Sequence, residues 1–279
     1  QADYVLEATQ IAKAHGGTVP VKLVWTREDD TYSGYFRPMY VHKLKAGLDQ
    51  QGNIVAWQHR IVGQSMAVGT AFERIIKKGI DPTSVEGAID LPYSIPNLSV
   101  ELHTVDLPVP VMWWRSVGHT HTAHATETFI DKLAAATQQD PVAFRMNLLS
   151  QRPKHQNVLQ LAAEKAQWKT PLPPGRSRGI ALHKSFNTTV AQVAEVQMDK
   201  EGHYRVEKVV CVVDCGLAVN PDVIVAQMEG GIGFGLSPAL LSEITFDDGK
   251  IVQSSFHDYQ VVRMKHMPEI EVHIVPSTE

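Results

Sequence analysis

The sequence predicts an α+β protein assembled from two-layer subdomains of mixed sheet and helix. Strand-like and helix-like segments come in uneven groups, which argues against the regular alternation of a doubly wound parallel sheet. A chain of 279 residues exceeds the usual size of one domain. A rigid, helix-breaking run from Pro171 to Gly175 offers the best division within it. The expected organisation is a first subdomain at 1–170, a linker at 171–175 and a second subdomain at 176–279.

The individual elements follow from local pattern. Asp3 to His15 reads as a helix, with Val5, Ile11 and alanines near helical spacing and Gly16-Gly17 as its stop. Val21 to Thr26 reads as a short apolar strand. Val41 to Asp49 and Asn53 to Gly63 form a hairpin around Gly52. Residues 64–99 are mixed and interrupted by Pro82, Pro92 and Pro96. Leu107 to Arg115 is extended, and Pro108 and Pro110 confine it to a sheet edge or a loop. Helices are predicted from Ala123 to Thr137, from Asp140-Pro141 to Leu149, and from Val158 to Trp168. Beyond the linker come strands at 179–186, 190–198 and 204–213, then a glycine-rich helix. Two strands near 243–246 and 251–259 follow. In the last strand Ile270, Val272 and Ile274 alternate with polar residues. Such well-formed elements at both ends suggest a piece of a longer protein.

Composition narrows the function. Hydrophobic content of 43% and charged content of 20% suit an ordinary globular core. A formal charge of −4 gives no electrostatic case for nucleic acid. No apolar run approaches 18 residues, so no membrane span is expected. Cys211 and Cys215 would lie roughly 13 Å apart on one strand, too far for a disulfide, and read as structural thiols.

Four features invite chemistry. After Asp214-Cys215-Gly216, Asn220 can cap a helix and Pro221 can start it. Gly230, Gly231, Gly233 and Gly235 then sit inside that helix at a combined cost of roughly 3–4 kcal/mol, which close approach of another backbone or a ligand could offset. Arg37 could orient a polar or π-rich substrate, or pair with the acidic run Glu28-Asp29-Asp30. Trp113 and Trp114 beside Arg115, Ser116, Val117 and Gly118 could stack a planar ligand and present backbone N–H groups to an anion. His119, His121 and His124 could hold zinc with an open position, although a satisfied group at a helix start explains them more simply.

Several of these stretches carry a resemblance. Val21 to Asp30, Phe36-Arg37-Pro38, Trp114 to Gly118 and Glu127 to Asp131 are similar to the large molybdenum-binding subunit of the xanthine dehydrogenase and aldehyde oxidase family. So are Asp140 to Arg145 and the run from Asp214 through Asn220-Pro221 to Gly231. The likeness covers nearly the whole chain in order and is nearest to the isoquinoline 1-oxidoreductase β-subunit branch.

The resemblance implies a molybdenum-bearing molybdopterin, as the cytosine dinucleotide in bacteria, in the parent protein. It implies hydroxylation of a carbon beside a ring nitrogen, with oxygen from water and electrons leaving through a [2Fe–2S] partner subunit. Oxidation of an aldehyde, or a non-catalytic binding or assembly role on the same scaffold, are the alternatives. Arg37, Trp114 and Arg115 fall at substrate-facing positions. Arg115, Ser116, Val117 and Gly118 fall on the loop that closes around the molybdenum end of the cofactor. Ser116-Val117 replaces a glycine and an aromatic of the xanthine-oxidising branch, which weakens the expectation of a purine clamp. The catalytic glutamate belongs to a Gly-x-Gly-Glu motif expected beyond Glu279. An upstream glycine-rich loop precedes the match to Asp3–His15. The 279 residues alone are therefore expected neither to turn over substrate nor to retain the cofactor, and either the periplasm or the cytoplasm of a bacterium suits the parent. After the comparison, the glycines of the 221–236 helix are expected to serve tight packing.

Overall fold

The computed structural model describes residues 3–277. The chain divides into two compact units, the smaller formed by Gln1–Gly34 with Ser237–Val261, the larger by Tyr35–Leu236 with Val262–Glu279.

In the smaller unit, helix α1 (Asp3–Ala14) ends where Gly17 N–H reaches back to the Ala12 carbonyl at 2.8 Å, with Gly16 at φ +86°. That left-handed close is a glycine's role at a helix end. The expected strand at 21–26 does not form. Residues 21–26 instead lead into an unforeseen helix, α2 (Arg27–Ser33). Thr26 and Asp29 form a reciprocal capping box that commits the chain to a helix at that point. The two strands expected near 243–246 and 251–259 shrink to the two-residue pair β7 (Phe246–Asp247) and β8 (Lys250–Ile251), closed by Asp248 and Gly249 in left-handed conformations.

The larger unit contains two open sheets. In the first, β1 (Tyr40–Leu48) pairs antiparallel with β2 (Ile54–Gly63), and β3 (Leu98–Thr104) adds parallel to β2. The hairpin was legible, whereas β3 was hidden in the proline-interrupted stretch before it. Alternation along β2 buries Trp57, His59 and Ile61 on one face. Gly63 is required opposite Tyr40, since a Cβ there would sit 2.2 Å from the tyrosine ring.

The second sheet runs β4 (Arg176–Ser185), β5 (Thr188–Met198), β6 (Tyr204–Asp214) and β9 (Glu269–Ile274), the last pairing parallel to β6. Residues 171–175 carry the chain from α5 into β4. Helices α3 (His119–Ala136), α4 (Pro141–Leu148) and α5 (Pro153–Lys165) cover this sheet. Two of them begin earlier than expected: α3 at His119, and α5 at Pro153, whose ring fits a first helical turn. Asp140 caps α4 by accepting from the N–H groups of Val142 and Ala143. Ile130, Leu133, Phe144, Leu148, Val158 and Leu159 meet Ile180, Leu182, Val193 and Val210 in one core. Cys211 is buried in β6, burial pushes its thiol up to about 11, and neither cysteine is bridged.

Helix α6 (Pro221–Leu240) qualifies the expectation that no segment could span a membrane. It is long and apolar enough to do so by length and composition alone. The intervening Gln227 and Glu229 kept this from reading as one apolar run. Glu229 near the middle of such a span would be costly in hydrocarbon.

Candidate functional site

An isolated parallel bridge joins Phe36 and Val111 in the larger unit. Phe36 N–H donates to the Pro110 carbonyl at 2.9 Å, and Met112 N–H donates to the Phe36 carbonyl at 3.0 Å. This edge-like use of the 107–115 segment is what its prolines permit. The bridge brings Arg37 next to the tryptophan pair, with its guanidinium 5.8 Å from the centre of a Trp114 ring. Such a contact favours the planar cation over an ammonium. Trp113 faces Phe72 edge-on at 5.0 Å, so the two tryptophans serve different surfaces.

The chain then makes a strained turn. Val117 N–H donates to the Trp114 carbonyl at 2.9 Å, and both Ser116 (φ 76°) and Val117 (φ 53°) are left-handed. For a β-branched residue this is a true outlier, of the kind that collects at functional sites. The turn is pinned by side chains. Thr120 Oγ1 donates to the Arg115 carbonyl at 3.0 Å and lies 2.8 Å from Ser116 Oγ. Gly118 N–H donates to Glu86 at 2.7 Å. A Cβ at Gly118 would lie 2.1 Å from the Thr83 carbonyl oxygen, so only glycine lets the turn pass this close to the 82–84 segment.

Helix α6 completes the cluster. Asp214 ends β6 by accepting from Gly216 N–H at 3.1 Å, and Lys154 lies 3.2 Å from the same carboxylate. Gly216 turns with φ +77°. Asn220 then accepts weakly from Val223 N–H at 3.4 Å as α6 begins. From α6, Gln227 accepts a 3.0 Å hydrogen bond from Arg115. Phe234 lies 5.0 Å from Trp114 and 5.7 Å below the Arg115 guanidinium. Arg37, Trp114, Arg115, Gln227 and Phe234 therefore share one surface. Gln227 and Phe234 were not singled out from the sequence, because only the packing of α6 reveals them. Gln227's place one helical turn before the glycines was the available signal.

The α6 glycines correct the expectation of tight packing. A Cβ at Gly230, Gly231 or Gly235 would meet no atom within 4 Å, and only Gly233 has a close neighbour, the Met267 side chain at 3.2 Å. Ile232 is the one buried residue described in this helix. Among the described residues, the positions of Gly230, Gly231 and Gly235 are therefore open.

The histidines pair with one another instead of converging on a point. His119 Nδ1 meets His183 Nε2 at 2.8 Å, and its other nitrogen lies 3.9 Å from Glu86. His121 Nδ1 meets His42 Nε2 at 3.0 Å, and His42 Nδ1 meets His59 Nε2 at 2.7 Å. Burial lowers His42 and His59 to about 4, His183 to about 4 and His121 to about 3. Among the described residues no group of three His, Cys, Asp or Glu side chains is arranged to hold a metal ion. His124 is exposed on α3. A concavity of about 640 Å³ is lined by residues 45–47, 56–58 and 96–99 and by none of the Arg37 cluster.

Two family models, each described as a molybdopterin cofactor-binding domain, match residues 2–149 and 119–268. The chain is 32% identical over 282 residues to isoquinoline 1-oxidoreductase subunit beta of Brevundimonas diminuta, covering 99% of this chain and 36% of that protein. It is 29% identical to the membrane-bound aldehyde dehydrogenase [pyrroloquinoline-quinone] of Gluconacetobacter polyoxogenes, over 99% of this chain and 39% of that one. The chain thus spans little more than a third of these relatives. In fold it matches quinoline 2-oxidoreductase of Pseudomonas putida 86 with a TM-score of 0.77, at 13% identity, covering 96% of this chain and 58% of that one.

Proposed function

The chain belongs to the molybdopterin cofactor-binding family of the aldehyde oxidase and xanthine dehydrogenase type, and from that premise we propose that it forms one wall of a molybdenum hydroxylase site. The proposed substrate is an N-heteroaromatic compound resembling isoquinoline, with electrons passed to a [2Fe–2S] partner and the cofactor present as the cytosine dinucleotide. The Arg37–Trp114–Arg115–Gln227–Phe234 surface carries this reading.

The residues present suit such a group. A cofactor that brings its own sulfur ligands to the metal asks the protein for hydrogen-bond donors and flat faces, not for a His and Cys cluster. Arg115 and Gln227 supply side-chain polarity, Trp114 and Phe234 supply faces, and the open glycines at 230, 231 and 235 leave room for close approach. We assign Arg115, Ser116, Val117 and Gly118 to holding the cofactor. When bound, the group would supply a two-electron oxidation of the substrate carbon with oxygen from water. Arg37 would orient the ring by donating hydrogen bonds, and Trp114 would stack on the ring while its own face attracts the Arg37 guanidinium. The catalytic base is placed outside these 279 residues.

The parent protein, purified with its partner, should oxidise isoquinoline with an artificial electron acceptor. Arg37→Ala should raise KM at least tenfold while molybdenum content stays unchanged, whereas Arg115→Ala should lower molybdenum content. Aldehyde turnover without isoquinoline turnover would replace this substrate reading with the aldehyde one. The absence of both, with molybdenum present, would overturn the proposed reaction.

A further inference from the structure

The strained turn at 114–118 is held from outside by one acidic side chain, Glu86. Helix α3 starts with no side-chain cap of its own, because its N-cap residue is Gly118. Gly118 and His119 are both buried, and the first N–H groups of a buried helix end still need acceptors. Gly118 N–H donates to Glu86 Oε1 at 2.7 Å, and the His119 N–H also donates to the Glu86 carboxylate. Thr120 N–H turns back to the Val117 carbonyl at 3.3 Å. A carboxylate from a distant segment thus does the work of an aspartate or serine at the N-cap.

Glu86 is itself gripped. Its backbone carbonyl accepts from Thr122 Oγ1 at 2.8 Å, one turn along α3, and its N–H donates to the Pro82 carbonyl at 3.1 Å. Gly87 follows at φ +77°, where a Cβ would lie 2.7 Å from both His119 Nδ1 and Thr122 Oγ1. Only glycine brings this backbone so near the helix. Its N–H donates to Asp90 at 2.9 Å. Upstream, the buried Asp81 accepts from Thr83 N–H at 2.9 Å and from Ser65 Oγ at 2.5 Å. The 81–87 stretch is therefore fixed on both sides of the residue that meets α3. Burial pushes the Glu86 carboxyl above its ordinary value, and the Gly118 N–H, the neighbouring His119 and its N–H oppose the rise. The fold keeps a carboxylate where charge is disfavoured, which suits a positioning contact better than a stabilising one.

We propose that Glu86 is a positioning residue for the Arg115–Gly118 turn, its carboxylate fixing the start of α3 so that Arg115 meets Gln227. With Gly118 and His119 held, Ser116 and Val117 must close the step from Trp114 in left-handed conformations. Without the carboxylate, Gly118 N–H loses its acceptor, and nothing at that end obliges the β-branched Val117 to stay at φ 53°. Glu86 touches neither substrate nor cofactor in this account and acts only through the turn. The link from the turn to the cofactor rests on the hydroxylase reading. The hold of Glu86 on the turn does not.

The test compares the full wild-type chain with Glu86→Ala and Glu86→Gln by nuclear magnetic resonance and amide hydrogen exchange at pH 7. Glutamine keeps one acceptor oxygen at the same reach, and alanine keeps none. The Gly118 amide should exchange about tenfold faster in Glu86→Ala and stay within about threefold of wild type in Glu86→Gln. In the glutamine variant its proton should move upfield, because the acceptor has lost its charge. In the alanine variant the φ-dependent coupling of Val117 should leave its left-handed value, while α3 amides from Ala125 onward keep their protection. Unchanged exchange at Gly118 in Glu86→Ala would overturn the proposal. So would protection lost evenly along α3, the mark of a general loss of stability. If Glu86→Ala does not fold, Glu86→Gln decides, and an unmoved Gly118 proton rejects the contact. In the parent protein, Glu86→Ala should lower molybdenum content and Glu86→Gln should retain it. A turn that shifts while molybdenum content holds would remove the cofactor from residues 115–118, yet it would support the hold of Glu86 on the turn.

Discussion

Arg145 of α4 is fully buried, and its Nε donates to the Glu127 carboxylate of α3 at 3.0 Å. The same guanidinium binds Asp131 at 2.6 Å and the Glu127 backbone carbonyl at 3.1 Å, while Tyr93 and the Leu182 N–H fill the remaining places on the Glu127 carboxylate. Two helices, a loop and strand β4 are therefore joined through one ion pair. Burial pushes the Glu127 carboxyl above its usual value, and the Arg145 charge opposes that rise. Two segments that carry the family resemblance, 127–131 and 140–145, owe it to this scaffold and not to the ligand surface. Glu127→Gln should leave a buried, partly uncompensated guanidinium and cost about 3 kcal/mol. Pairing it with Arg145→Met should recover part of that loss. Urea unfolding of the two variants checks both, and a double mutant no better than Glu127→Gln would refute the account.

The imidazole row gives the stability a definite pH dependence. His42 and His59 are held near 4 and His121 near 3, first by burial and then by neighbouring positive charge. Their folded values lie below the ordinary histidine value of about 6.5, so the unfolded chain binds more protons between those limits. Stability should be complete above pH 6.5 and fall as pH drops towards 4, each ring contributing a slope of up to about 1.4 kcal/mol per pH unit. Unfolding free energies at pH 7, 6 and 5 test this. A flat profile, or a slope unchanged in His59→Leu, would show that the row is not titrating as described.

The parts of the fold visible in the sequence were those with a strong local signal. The β1–β2 hairpin showed itself by alternation around Gly52, and α4 by Asp140-Pro141. Helix α2 was missed because Glu28-Asp29-Asp30 was weighed only as an acidic run that could pair with Arg37, although Thr26 and Asp29 at capping-box spacing were there to be read. Strand β3 was missed because Pro92 and Pro96 masked Leu98–Thr104, whose pairing partner β2 lies some forty residues earlier. At the candidate site, Arg37, Trp114 and Arg115 stood out by residue type. Gln227 and Phe234 did not, because their role is set by a contact more than a hundred residues away in sequence. The histidine row was hidden for the same reason: His42 and His59 lie on strands, and α3 alone brings His121 to them.

The glycines of α6 permit the sharpest separation of packing from ligand approach. Gly118 and Gly231 make opposite predictions for the same substitution. Alanine at Gly118 would drive a Cβ to 2.1 Å from a backbone oxygen, and the turn would have to move. Alanine at Gly231 meets nothing within 4 Å and restores helix propensity worth about 1 kcal/mol. In the full chain, Gly231→Ala should therefore raise stability by about that amount, while Gly118→Ala lowers it, as urea unfolding will show. A destabilised Gly231→Ala would mean that the helix face is already occupied by its own chain. In the parent protein the expectation reverses: if the open face exists for close approach of the cofactor or of another backbone, Gly231→Ala should lower molybdenum content despite the gain in helix propensity. Unchanged molybdenum content would leave the four glycines of α6 without the compensation that their cost demands.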